Sequence, residues 1–350
     1  MKKLLINIVK KYFIIIIIIQ QALILYYIFF SNIFYISHLT QNLINIFSQD
    51  NKKLIIELKD IKLDYNNQFA ILSRFSCPNC GLFSFYIVHL GCIREFLIKG
   101  YIPIIDVESF SNIFNGFNKS SLSINPWELF FYQPFNFTLK DVKRKAKNIK
   151  YFECKSSFNR PNYNNFLLNE VLINYWHNIA NIYMPIKKEI INESNNIINI
   201  LFKNSKNILG VLTRGTDYLS RKPKYHPIPP DYKMVIQDIK KMDSQNNYDY
   251  IFLATEDDII REKIINAFNQ KIKIYKFKEN IKYNYKTKNL LGYNNIIRGN
   301  IEFIKIYIIN IIILSKCIDI ISARTSGSIG VFILTQGFRN IKIYYLGNYK

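Results

Sequence analysis

The second half of the chain repeats one unit. Ile208–Leu212 (ILGVL), Tyr250–Thr255 (YIFLAT) and Asp319–Ser322 (DIIS) are short apolar runs, each closing on a turn of small and charged residues. Runs with no polar face belong to strands covered on both sides, as in a parallel sheet layered between helices. Helix-length segments follow at Tyr232–Met242, from Asp258 to about Phe268, and after Ala323, with a largely apolar helix over Arg298–Leu314. Ile272–Phe277 and Ile341–Leu346 complete the strands. The first half has a shorter version: strand Phe69–Phe75, turn Asn79-Cys80-Gly81, helix Leu82–Lys99 capped by Gly100, and strand Tyr101–Val107. Helices over Leu167–Ile182 and Ile186–Phe202, broken at Pro185, join the halves. The expected class is α/β with two Rossmann-like domains, and 350 residues suffice for two cores. The expected divisions are an N-terminal segment and linker at 1–50, a first α/β domain at 51–205 and a second at 206–350.

In open α/β sheets ligands bind beyond the carboxyl ends of the strands, so the turns there hold the candidate residues. Arg214 follows the first run; its planar fork of donors suits a diphosphate, or it closes the strand end against Asp217. Glu256 and Asp257 follow the second, placed either to read base or ribose hydroxyls or to favour the next helix dipole. Arg324-Thr325-Ser326-Gly327-Ser328 follows the third, where free backbone donors, hydroxyls and the positive helix end suit an anion. An ordinary cap by Thr325 or Ser326 is the plainer alternative. Gly81 opens the first-half helix and either presents backbone N–H groups to an anion or makes a tight turn.

These turns resemble the motifs of the α1,2-, α1,6- and protein O-fucosyltransferase superfamily. Its first motif, a strand ending in His-x-Arg-Arg-x-Asp with a later His-Pro-Ile in the α1,6 branch, falls on Leu212 to Asp217 and His226-Pro227-Ile228. Arg214 matches the first arginine, whereas Gly215 and Leu212 depart from the second arginine and the leading histidine. Ala254-Thr255-Glu256-Asp257 is similar to the family's Ala-Thr-Asp-Asp, and Thr325-Ser326-Gly327-Ser328 to its Ser-rich third motif. A glycine-rich loop holds the place of Gly81. The resemblance implies a two-domain (GT-B type) enzyme that transfers L-fucose from GDP-fucose to a glycan hydroxyl with inversion and without a metal. It places Arg214 on the β-phosphate, Asp257 on guanine or ribose, and Thr325, Ser326 and Ser328 on diphosphate oxygens, with Glu256, Arg324 and Gly327 beside them. The chain lacks an Asp-x-Asp triplet, so no clustered oxygen ligands for a divalent cation are expected. Asp217 and His226 are the candidates for the general base; His226 could equally pack beneath the proline-rich turn. The same fold with another nucleotide sugar, or an inactive membrane-tethered sugar-binding protein, are the alternatives.

The formal charge of +22 suits an anionic donor or an anionic membrane face, and no zinc-knuckle or RNA-recognition motif accompanies it, so nucleic acid is not expected. Lysines at 2, 3, 10 and 11 precede the apolar stretch Phe13–Phe30, about the length of a bilayer span, with Gln20 and Gln21 at its middle. Membrane association through 12–30, on the cytoplasmic face, is expected, with a type II single pass as the alternative. Residues 38–66 read as linker and a first strand, Lys140–Lys150 as a solvated basic segment, and Lys278–Asn295 as a loop able to cover an acceptor, glycan or glycolipid. Trp127, Phe130 and Phe131 fit either a sugar-stacking surface or a core. Five cysteines without metal-site spacing are expected as free thiols in a reducing compartment, with a redox pair at Cys77-Pro-Asn-Cys80 as the alternative.

Overall fold

The computed structural model describes residues 63–78, 80–115, 124–163, 166–215, 222–276 and 300–350. All belong to the second of two compact units, Lys62–Lys350, the first being Met1–Ile61. The apolar stretch at 13–30, Asp217 and the loop at 278–295 lie outside the described residues. Among those described, no helix is long and apolar enough to cross a membrane.

Two sheets, both wholly parallel, organise the chain. The first contains β1 (Gln68–Ser73), β2 (Ile102–Ile105) and β3 (Asn148–Glu153) in the order β2-β1-β3. Helix α1 (Leu82–Ile98) connects β1 to β2, and α2 (Leu139–Lys145) precedes β3. Helices α3 (Glu170–Tyr183) and α4 (Lys188–Phe202) then lead to the second sheet. That sheet holds β4 (Ile208–Leu212), β5 (Tyr250–Ala254), β6 (Ile272–Lys273), β7 (Asp319–Ala323) and β8 (Asn340–Tyr344). Its helices are α5 (Tyr232–Asn246), α6 (Asp258–Phe268), α7 (Ile301–Ser315) and α8 (Ser326–Leu334).

The second sheet runs β6-β5-β4-β7-β8, so the chain builds outward from β4 and then returns to its other side. The order therefore reverses between β4 and β7, where Leu212 pairs with Ser322. Helices cover both faces, which explains the apolar runs. Val235 and Ile239 of α5, with Ile260 and Ile264 of α6, pack on Leu209, Val211, Ile251 and Leu253. On the opposite face Gly210 lets α7 approach closely, because a Cβ there would stand 3.1 Å from Leu314 Cδ2 and 3.2 Å from Cys317 Cβ.

Helix α1 is buried on nearly every side, which accounts for its weak amphipathic pattern. Its first turn packs against the second half of the chain: Phe83 fills the space where Gly330 of α8 lacks a side chain, and its ring meets Tyr307 of α7 edge-on at 5.5 Å. Trp127, Phe130 and Phe131 are buried; Trp127 stacks on Tyr86 of α1, Phe131 meets the same ring at a tilt and Phe130 packs on Phe114, so these aromatics are core.

Several expectations need correction. Lys140–Lys150 is solvated as expected, with Val142 its one buried residue, but it is also regular structure, supplying most of α2 and the start of β3. As an edge strand, β3 leaves Asn148, Lys150 and Tyr151 exposed while Phe152 packs on Phe96 at 4.3 Å. Within the described part of Ile272–Phe277, which ends at residue 276, only Ile272–Lys273 forms strand, as β6. The strand expected at Phe69–Phe75 is β1, Gln68–Ser73, and the one expected within 38–66 lies largely outside the described residues. Four cysteines are not free thiols: Cys77 is bonded to Cys80, and Cys92 of α1 to Cys154 just past β3. The fold brings Cys92 and Cys154 together from 62 residues apart, with Cα atoms 5.7 Å apart, which spacing in the sequence does not reveal. Cys317 is free and buried, and burial pushes its thiol pKa up.

Candidate functional site

Strand register fixes the geometry. Because Leu212 and Ser322 are paired neighbours in parallel strands, the turn beginning at Thr213 and the turn beginning at Arg324 emerge side by side at the point of strand reversal. The turn after Ala254 joins them, since Leu212 also pairs with Ala254 and Thr213 N–H donates to the Ala254 carbonyl at 3.2 Å. Arg214 reaches toward Glu256, Nε to Oε1 at 3.5 Å, with its side chain partly exposed.

Asp257 is 4% exposed and caps α6, one carboxylate oxygen accepting from Ile260 N–H at 3.0 Å. Its other oxygen fills the space beside Gly215, where any Cβ would collide with that carboxylate and with Ile260. Arg261 holds the same turn from behind, donating to the Thr255 carbonyl at 2.9 Å and pairing with Asp258. The acidic cluster is thus largely occupied in building the turn, and Glu256 is its half-buried member facing Arg214.

Thr325 caps α8, its Oγ1 accepting from Ser328 N–H at 3.1 Å. Ser328 is fully buried, bonding the Ala323 carbonyl and the hydroxyls of Ser322 and Thr325 at 2.7 and 2.8 Å. Gly327 is buried too, with Tyr307 Oη 2.8 Å from where its Cβ would be. Thr325 and Ser326 remain half-exposed at the helix mouth. Arg324 is 9% exposed and turned along the sheet edge, donating from Nη2 to the Gly347 carbonyl at 2.9 Å and to Asn348 Oδ1 at 3.0 Å.

The first sheet contributes Arg74, one residue past the carboxyl end of β1 and only 6% exposed. It donates from Nη1 to the Ser84 carbonyl at 2.7 Å and Ser84 Oγ at 3.0 Å, and from Nη2 to Ser156 Oγ at 3.4 Å. Its guanidinium also lies over the Phe85 ring at 5.5 Å. Among the described residues its hydrogen-bond acceptors are all neutral. Burial, reinforced by neighbouring Arg160, lowers its pKa to about 10. Helix α1 starts at Gly81, which is exposed and makes no side-chain cap, so the positive end of a 17-residue helix adds to the cations. Two arginines and a helix N-terminus thus converge with no carboxylate bonded to Arg74 among the described residues, an arrangement that favours an anion.

No protein-family description and no curated protein matches the chain. Solved structures do. POFUT1 in complex with GDP-fucose is 9% identical, covering 81% of this chain and 99% of that one, with a TM-score of 0.46. Fucosyltransferase NodZ from Bradyrhizobium is 12% identical, covering 77% and 94%, with a TM-score of 0.45. NodZ α1,6-fucosyltransferase soaked with GDP-fucose is 13% identical, covering 77% and 93%, at 0.41. Likeness at this level leaves the activity to be argued from the site itself.

Of the residues expected there, Arg214, Glu256, Thr325 and Ser326 come together with accessible side chains. Asp257, Gly327 and Ser328 stand beside them but are turned into the protein, and Arg324 is tied to the segment after β8. His226 is exposed on its loop, not packed beneath the prolines. Arg74 was missed, although its signal exists: FAILS before Arg74 has the form of ILGVLT before Arg214, an apolar run closed by a hydroxyl residue and an arginine. Among the described residues no group of three His, Cys, Asp or Glu side chains could hold a metal ion.

Proposed function

We propose that the chain is a glycosyltransferase of the two-domain GT-B type, with its acceptor-side domain at 51–205 and its donor domain at 206–350, transferring L-fucose from GDP-fucose to a hydroxyl of a glycan or glycolipid. The observation carrying this reading is the adjacency of the Arg214 turn and the α8 N-terminus at the strand reversal, since a pyrophosphate needs opposed donors at one place. Arg74 and the start of α1 support an anionic ligand from the first sheet. The choice of GDP-fucose rests on the three motifs; the fold would serve another nucleotide sugar equally.

The acceptor oxygen attacks the anomeric carbon from the face opposite the diphosphate, giving inversion. Its proton passes to the general base, for which His226 is the candidate among the described residues and Asp217 the alternative outside them, and the bonding pair of the breaking C–O bond leaves on the β-phosphate. Arg214 and the backbone donors at Thr325–Ser326 stabilise that growing charge, a role a divalent cation fills in other transferases. Asp257 serves by rigidifying the turn that supports Arg214. Association with a membrane through 12–30 would bring a lipid-linked acceptor within reach, and the two disulfides favour the type II alternative over the cytoplasmic face.

One observation favours an inactive sugar-nucleotide binder as second reading: Asp257 fills the space beside Gly215, so the turn has no room for a second arginine. Both readings meet in one assay. Purified protein with GDP-fucose and a panel of glycan acceptors should release GDP, and Arg214→Ala should lower the rate by a factor of about 100 to 1000 with little change in unfolding temperature. Binding of GDP-fucose without hydrolysis or transfer across the panel would leave the binder.

A further inference from the structure

The segment after β8 is bonded both to the loop that carries His226 and to Arg324 at the start of the β7–α8 turn. Pro227 and Asn348 form an antiparallel bridge. Around it Tyr225 N–H donates to the Tyr349 carbonyl at 2.9 Å, Tyr349 N–H to the His226 carbonyl at 2.9 Å, and Ile228 N–H to the Gly347 carbonyl at 3.0 Å. The Gly347 carbonyl also accepts from Arg324 Nη2 at 2.9 Å, and Asn348 Oδ1 takes a bond from the same nitrogen at 3.0 Å. The Tyr345 ring lies 5.1 Å from the Arg324 guanidinium. Gly347 sits at φ +86°, a conformation that costs any residue with a side chain.

We propose that Tyr345–Tyr349 is a positioning clamp for the transfer reaction, in which the Gly347 carbonyl ties the β7–α8 turn, through Arg324, to the loop carrying His226. The proposal rests on the reading of the site as a transferase. The His226 loop lies outside the regular helices and strands, so without these bonds it would sample many conformations, and a base must sit within hydrogen-bond reach of its proton. One carbonyl shared by Ile228 and Arg324 holds the histidine loop and the diphosphate turn in register. The guanidinium makes that bond charge-assisted and hence strong for its size. Gly347 and Asn348 touch neither donor nor acceptor in this scheme; they act through Arg324 and the His226 backbone.

Gly347→Ala and Asn348→Ala test this, with Asn348→Asp as a variant that keeps an acceptor oxygen for Arg324. Steady-state GDP-fucose turnover is measured together with amide hydrogen exchange at Ile228 and Tyr349 and the His226 ring resonance by NMR. In Gly347→Ala, kcat should fall about tenfold, the equivalent of one lost hydrogen bond to a charged group, while KM for GDP-fucose changes less than kcat. Exchange at Ile228 should quicken, the His226 resonance should move, and Asn348→Asp should recover activity that Asn348→Ala loses. Unchanged kcat with an unmoved His226 resonance would overturn the clamp, as would a drop in unfolding temperature with catalysis intact. If the intact protein turns over no GDP-fucose, the transferase reading fails; the clamp then stands or falls on the exchange rates and the His226 resonance.

Discussion

The first sheet has three strands, an aromatic core around Trp127, Tyr86 and Phe131, and a covalent tie from α1 to the end of β3. The second has five strands, an aliphatic core between two helical layers, and a buried carboxylate in place of a disulfide. Asp319, at the start of β7, is fully buried and bonded by Arg339 at 2.6 Å, Asn340 N–H at 2.8 Å and the Tyr248 hydroxyl. Both sheets put an arginine one or two residues beyond a central strand. The small sheet holds its arginine buried among neutral acceptors, whereas the large one leaves Arg214 partly exposed beside Glu256. A small sheet with an open edge gains from a cross-link; a five-stranded one can hold its edge by hydrogen bonds and charge while leaving its carboxyl-end turns accessible.

Removing the cross-link is the strongest way to break this comparison. Cys92→Ser with Cys154→Ser should cost about 4 kcal/mol by loop-closure entropy. Hydrogen exchange should show the loss concentrated in α1 and β3, with β4 and β7 little affected. Equal loosening of both sheets would mean that they share one source of stability.

Acid should separate them next. His89 is buried against Phe85 and Trp127, and burial, more than any neighbour, lowers its pKa to about 4. Its neutral form is the one the fold holds, so its contribution is complete above the ordinary imidazole value near 6.5 and fades as pH falls toward about 4. That window carries on the order of 3 kcal/mol. Asp319 behaves differently: burial alone would raise its carboxyl, but Arg339, Tyr248 and Asn340 hold it below the usual carboxylate value of 3.8. Its contribution is present above that value and is lost as pH falls below it. Urea titrations with region-resolved exchange should find α1 weakening between pH 6.5 and 4, and β7 only below that. His89→Gln should flatten the first window alone.

The larger sheet was also the legible one. Its strands are doubly covered, so ILGVL, YIFLA and DIISA read as apolar runs, and each ends in a turn whose chemistry is local. The smaller sheet hides its third strand, since NIKYFE is an edge whose lysine faces water and whose pairing with β1 spans most of a domain. The Cys92–Cys154 disulfide depended on the same distant pairing, whereas Cys77–Cys80 is local. At the site, spacing located Arg214, Glu256 and Thr325 correctly at strand ends but could not tell which side chains face outward. Ser328 and Asp257 belong to the turns they build, a distinction set by capping bonds and not by residue type. Arg74 went unread because its meaning lies in what surrounds it: burial and a second arginine.

Calorimetric titration of GDP and of guanosine into the intact protein and Arg214→Ala tests most directly whether Arg214 and the α8 N-terminus meet around one pyrophosphate. Arg214→Ala should weaken GDP binding about 100-fold, as loss of a charged partner does, and leave guanosine binding unchanged. Ser326→Ala should weaken GDP less, and the two effects should be non-additive in the double variant because both groups act on the same phosphates. GDP affinity that survives Arg214→Ala, or an equal loss for guanosine, would contradict the account.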